Sequence, residues 1–252
     1  FFSFLPRSPE VVFQLNTCFA TLTVIPVYIL GRNLFQSERA GYFAAMILAV
    51  LPVHVRLSVT EDLYIVGGLF LAIALASLSE YLLHGNHGRY LVLTTAATVL
   101  GCQIRETLNL LPVYLIVAFF VLAKEPRKLL RTSVVRWCVV GGLAFGLPHI
   151  IFYSVFGLAL VDANHPFEFE IFSSFLNWFT FGNKHFDPAV TSPVIMLFLF
   201  LGLISRRNVR ASILIGGGIL SFGWMAMIKT ISEADEVMFH ADYGILIAIL
   251  AG

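Results

Sequence analysis

Charge is scarce in this chain. Asp, Glu, Lys and Arg together make up 12% of its 252 residues, about half the share usual in soluble domains. Folding in water would expose apolar surface that so few charges cannot cover. There is no Gly-rich nucleotide fingerprint, no P-loop, no HExxH and no serine nucleophile elbow. Their absence argues against a nucleotide-driven pump and against soluble-type hydrolase chemistry. The three cysteines, Cys18, Cys102 and Cys138, sit inside apolar runs without metal-ligand spacing and read as small core hydrophobes. A net charge of +1 offers no nucleic-acid surface. No signal peptide is recognisable, and a chain running from Phe1 to Gly252, inside an apolar run, reads as a segment of a longer protein.

What is abundant is hydrocarbon. Hydrophobic residues make up 58% of the chain, and the mean hydropathy is +0.87. A membrane span needs about 20 apolar residues. Apolar runs fall at 12–31, 41–54, 63–83, 90–104, 108–123, 134–157, 190–205, 211–228 and from 243 onward. The expectation is an all-α, polytopic transmembrane bundle of about eight or nine spans, with short interfacial helices on its outer face. Residues 1–252 read as one transmembrane module, with a long aromatic-rich outer loop at 158–189. The runs 90–104 and 108–123 flank a polar knot and read as a bent or re-entrant pair. The triplet Gly216-Gly217-Gly218 lies within a span and suggests close helix approach or a bend.

Charge gives the bundle a direction. Strict alternation puts the loops near 31–41, 84–89, 124–136 and 205–210 on one side. Those loops and their edges hold 11 of the 16 basic residues and only 3 of the 15 acids, Glu38, Glu80 and Glu125. Lys and Arg mark the cytoplasmic side. The opposite, non-cytoplasmic face therefore collects the other acids, and with them His54, Arg56 and Arg105.

Two constellations on that face invite chemistry. In Pro52-Val-His54-Val-Arg56-Leu-Ser58-Val-Thr-Glu61-Asp62, a histidine, an arginine and two carboxylates cluster at the edge of the membrane. Arg56 suits an anionic ligand, and Glu61 or Asp62 suits a general base or a divalent cation. The plain alternative is a polar loop in which Arg56 pairs with an acid. In Gln103-Ile-Arg105-Glu106, an arginine sits close to hydrocarbon on both sides, where an unpaired guanidinium is costly. Pairing with Glu106 or with a phosphate would stabilise it. The His and carboxylates of loop 158–189, and Glu233-Ala-Asp235-Glu236 with His240 and Asp242, read more simply as solvated loops.

Three stretches resemble the polytopic membrane glycosyltransferases of the C superfamily, which include the dolichyl-phosphate-mannose protein mannosyltransferases and the bacterial aminoarabinose transferases. The first is Tyr28-Ile-Leu-Gly-Arg32-Asn-Leu-Phe35 with Ala40-Gly-Tyr-Phe-Ala-Ala, followed by Leu51-Pro52-x-His54-x-Arg56-x-Ser58. The second is Gly101-Cys-Gln103-Ile-Arg105-Glu106 with Leu111-Pro112, and the third is His240-Ala-Asp-Tyr243 running into Leu246–Gly252. The resemblance implies a helical module that moves a sugar from a polyprenyl-phosphate donor to a glycan, lipid or protein acceptor at the non-cytoplasmic face, with inversion. It implies a bacterial inner-membrane or endoplasmic-reticulum protein, with a divalent cation as a candidate cofactor. His54, Arg56, Arg105 and Glu106 would contact substrate, and Glu61 and Asp62 map loosely onto the catalytic acids of the second outer loop. The family's first helix and its acidic first outer loop, which carries the main base, have no counterpart in this sequence. Two other readings are a non-catalytic subunit of a membrane complex and a transporter. A transporter typically shows internal repetition, and the two halves show no convincing repeat.

Overall fold

A computed structural model describes residues 9–59, 64–85, 87–104, 108, 111–152, 194, 197, 201, 209–218 and 249. The described chain is all-helical: α1 (Pro9–Phe35), α2 (Glu38–Val50), α3 (Pro52–Ser58), α4 (Tyr64–Leu83), α5 (Gly88–Ile104), α6 (Leu111–Leu122), α7 (Pro126–Leu130) and α8 (Ser133–Phe152). A further short apolar helix covers Val209–Gly218. Helices alone suit hydrocarbon, because each satisfies its own backbone polar groups.

Among the described residues, α1 and α4 are long and apolar enough to cross a membrane, and the bent pair α2–α3 brings the total to three if counted as one span. The remaining expected spans fall partly or wholly outside the described residues, as does the loop at 158–189. The single run expected at 41–54 is in fact broken. Leu51 takes an extended conformation (φ −65°, ψ 119°), as a residue before proline prefers. Pro52 then starts α3 at its first turn, where a missing N–H is harmless. The two helices meet at a 57° bend.

The core is centred on α4. Of the most apolar stretch of α4, 83% is buried, against 28% for α1. It packs between α1 and α5, while α5 packs on α8. The α1–α2 hairpin closes tightly because Gly41 allows it: a Cβ there would lie 2.7 Å from the Tyr28 carbonyl oxygen. Gly31 meets Ala44 at the same crossing, so small residues let the two backbones approach. Among the described residues, nothing lies within 4 Å of a Cβ placed at Gly217. Tyr114 of α6 donates to the carbonyl of Leu214 at 2.9 Å, tying Val209–Gly218 to the bundle.

Long-range contacts also test the alternation of loops. The C-terminal ends of α1 and α4 are joined by Arg32 and Glu80, and Gly88 at the start of α5 abuts Val134 at the start of α8. The basic loops 31–41, 84–89 and 124–136 therefore gather at one end of the bundle. At the other end, α3 lies against the first half of α1, and Leu108 is fully buried behind the end of α5.

Candidate functional site

The end opposite the basic loops holds α3 and the C-terminal end of α5. His54 is turned inward: its side chain is 9% exposed and its Nε2 lies 3.2 Å from the carbonyl oxygen of Ala20 in α1. Thr17, one turn earlier in α1, donates its hydroxyl to the carbonyls of Phe13 (2.9 Å) and Ser58 (3.2 Å). Two contacts thus fasten α3 across α1. Helical spacing then decides what faces outward. Val53, His54 and Leu57 are buried, whereas Val55 and Arg56 are exposed. Among the described residues the Arg56 side chain makes no ion pair. An exposed guanidinium at the edge of a broken span can reach the phosphate layer or a bound phosphate.

Glu61, Asp62, Arg105 and Glu106 lie outside the described residues, so His54 and Arg56 are the sequence candidates that the structure places. The segment that holds Arg105 is anchored on both sides. Gln103 and Ile104 end α5, and the Cys102 thiol donates to the carbonyl of Leu108 at 3.1 Å. Leu108 also packs on Gly101, where a Cβ would lie 3.3 Å from Leu108 Cδ1. After it, α6 covers Leu111–Leu122; the polar knot expected to bend the pair lies outside the described residues.

An apolar cavity of about 320 Å³ runs between α5, α6 and α8, with Gln103, Pro112 and Leu147 at its outer end and Leu130 and Val135 at its inner end. The hydroxyls of the threonines on its wall are engaged: Thr94 bonds Tyr90 O and Ser77 Oγ of α4, Thr95 bonds Leu91 O and Thr98 bonds Thr94 O. Gly142 and Gly146 of α8 line the same cavity. Sequence reasoning missed this cavity. Its signals were the Thr94-Thr95-x-x-Thr98 stripe and the glycines of α8, neither of which has chemistry of its own. Asn16, fully buried in α1 one turn before Ala20, is a second polar group of this end that was passed over.

Among the described residues, no three His, Cys, Asp or Glu side chains come together. The described donors therefore do not fit a divalent cation, and Glu61, Asp62 and Glu106 lie outside the described residues.

The opposite end has a different character. Arg32 Nη2 and Asn33 Nδ2 both donate to Glu80 Oε1, the latter at 2.9 Å. Asn33 Nδ2 also reaches Ser79 Oγ at 2.9 Å, and the Arg32 guanidinium stacks 5.8 Å from the Tyr28 ring centroid. Arg32 Nε also donates to Asn33 Oδ1 at 3.2 Å, and His84 lies 3.8 Å from the other Glu80 oxygen. The knot is a clamp between α1 and α4.

Compared with known proteins, the chain matches the family model of the dolichyl-phosphate-mannose-protein mannosyltransferases over residues 6–152. No curated protein and no solved structure matches it. The matched segment covers more than half of the chain, and it includes the inner clamp, His54, Arg56, Arg105 and the apolar cavity. The bundle of apolar helices is thus an integral membrane protein, and the chain belongs to the dolichyl-phosphate-mannose-protein mannosyltransferase family, a family of membrane glycosyltransferases.

Proposed function

We propose that this chain is the membrane module of an inverting glycosyltransferase that moves a sugar, mannose in the first instance, from a polyprenyl phosphate to a protein or glycan hydroxyl on the non-cytoplasmic face. Family membership supports the reaction class and the lipid-linked donor. The observation that supports the placement of the site is Arg56, exposed at the end opposite the basic loops and without an ion pair among the described residues. That end is the non-cytoplasmic one if Lys and Arg mark the inside.

In the proposed reaction, the acceptor oxygen attacks the anomeric carbon as the bond from that carbon to the phosphate oxygen breaks. The polyprenyl phosphate leaves with the bonding electron pair, and a carboxylate takes the acceptor proton. Negative charge grows on the departing phosphate, so cations aimed at it stabilise the transition state more than the ground state. Arg56 and Arg105 are assigned that task. Glu61, Asp62 and Glu106 are assigned to the acceptor, with Glu61 or Asp62 as a proton acceptor. His54, already bonded to Ala20, positions α3 so that Arg56 faces outward. The prenyl chain lies in the cavity between α5, α6 and α8, whose outer end at Gln103 is two residues from Arg105 in sequence.

Arg105→Ala in the full-length protein tests the reading. Transfer of labelled mannose from polyprenyl-phosphate mannose in isolated membranes should fall about a hundredfold, with protein abundance in the membrane unchanged. Undiminished transfer by that variant would remove Arg105 from the site.

A further inference from the structure

A second cavity, of about 730 Å³, opens on the other side of the α5–α8 contact. Its floor is apolar: Val92 and Leu100 from α5, and Val134, Trp137, Gly141 and Phe145 from α8. From Ser133 to Phe145 it follows α8 for about 18 Å, close to the roughly 15 Å depth of one leaflet's hydrocarbon. Trp137 is 74% exposed and Phe145 72%, so the walls of the groove face the surrounding lipid.

The inner mouth of this groove is cationic. It opens beside Ser133 and Val134, and Gly88 packs on Val134, which brings Arg89 at the start of α5 to the same mouth as Arg136 of α8. Both arginines are exposed. Arg136 Nη2 donates to the Arg131 carbonyl at 3.0 Å, which keeps the exposed Arg131 at the same turn. Arg89 lies over the Tyr90 ring, 4.9 Å from its centroid. None of the three pairs with a described carboxylate; the neighbouring acid Glu125 is taken by Lys128 at 3.3 Å. Basic clusters at the inner edge of a span attract anionic headgroups, and Trp137 sits one turn inside that edge, where indoles favour the interface.

We propose that the α5–α8 groove is a binding site for an anionic glycerophospholipid of the leaflet at the basic end, with an acyl chain along Val134, Gly141 and Phe145 and its phosphodiester held by Arg89, Arg131 and Arg136. The arginines that hold the headgroup lie at the end opposite the sugar-transfer site, although the groove shares Thr95, Val99, Gln103 and Cys138 with the first cavity. It would tie the stability of the α5–α8 pair to the charge of the bilayer.

The test uses the full-length protein extracted from bilayers of equimolar phosphatidylcholine and phosphatidylglycerol, with retained lipids counted by native mass spectrometry. Wild type should retain phosphatidylglycerol in preference to phosphatidylcholine. The preference should fall by about fivefold for each charge removed in Arg89→Gln/Arg136→Gln, and survive in Arg136→Lys. Gly141→Leu fills the groove where nothing lies within 4 Å of a Cβ; it should lose the retained lipid with all arginines in place. Equal retention of both lipids by wild type, or an undiminished preference in the double variant or in Gly141→Leu, would overturn the proposal. Helical content measured in pure phosphatidylcholine separates loss of lipid from loss of fold.

Discussion

At the basic end, Arg32, Asn33, Ser79 and Glu80 satisfy one another across α1 and α4, whereas at the opposite end Arg56 stands exposed on α3 without a described partner. Both ends lie within the family match, and both hold an arginine in a stretch that resembles the same enzymes. The difference lies in what surrounds the charge. A guanidinium with its carboxylate beside it in a half-buried pocket is committed to that partner, and removing the partner exposes part of the cost of burial. A guanidinium held outward by a neighbour's hydrogen bond keeps its donors for something else.

Four substitutions probe that contrast. The largest loss of stability is expected from Glu80→Ala, which leaves Arg32 and Asn33 without their acceptor. It should lower stability by about 2–3 kcal/mol, seen as an earlier thermal transition in detergent, and Arg32→Gln/Glu80→Gln should recover part of the loss. Gly41→Val forces a side chain against the Tyr28 backbone and should cost about 1–3 kcal/mol, measured in the same melt. If Gly41→Val melts like wild type, the α1–α2 crossing is looser than described. His54→Ala removes one buried hydrogen bond and should cost about 1 kcal/mol. It should also depress transfer beyond its effect on stability, because α3 loses its fastening while Arg56 remains present. Tyr114→Phe, which gives up the bond to Leu214, should cost about 1 kcal/mol and leave transfer alone; a loss of transfer here would extend the functional end to α6.

Much of this was legible in residue order. Apolar runs marked α1, α4, α5 and α8 to within a few residues, and the placement of Lys and Arg grouped loops that the structure does bring together through Arg32–Glu80 and Gly88–Val134. The break at Leu51–Pro52 was written in the sequence too, in the restriction that proline places on its predecessor, yet hydropathy alone reads straight through it. The inward turn of His54 could not be read, because it depends on Ala20, 34 residues away. The pairing of Arg32 with Glu80, 48 residues apart, is of the same kind. Helical periodicity says which residues share a face, but only packing says what that face meets. The two cavities were invisible for a related reason: they are made by what threonine and glycine leave empty, and no residue in them announces a ligand.

The account rests on the outer arginine serving chemistry and the inner one serving structure. The most direct measurement sets Arg56→Ala beside Glu80→Ala in the full-length protein, with mannose transfer per folded molecule and the melting temperature taken on the same preparations. Arg56→Ala should lose transfer about a hundredfold at an unchanged melting temperature, while Glu80→Ala should melt early yet keep its rate per folded molecule. An Arg56→Ala protein that transfers sugar at the wild-type rate, or that loses transfer only as far as it loses folded protein, would contradict it.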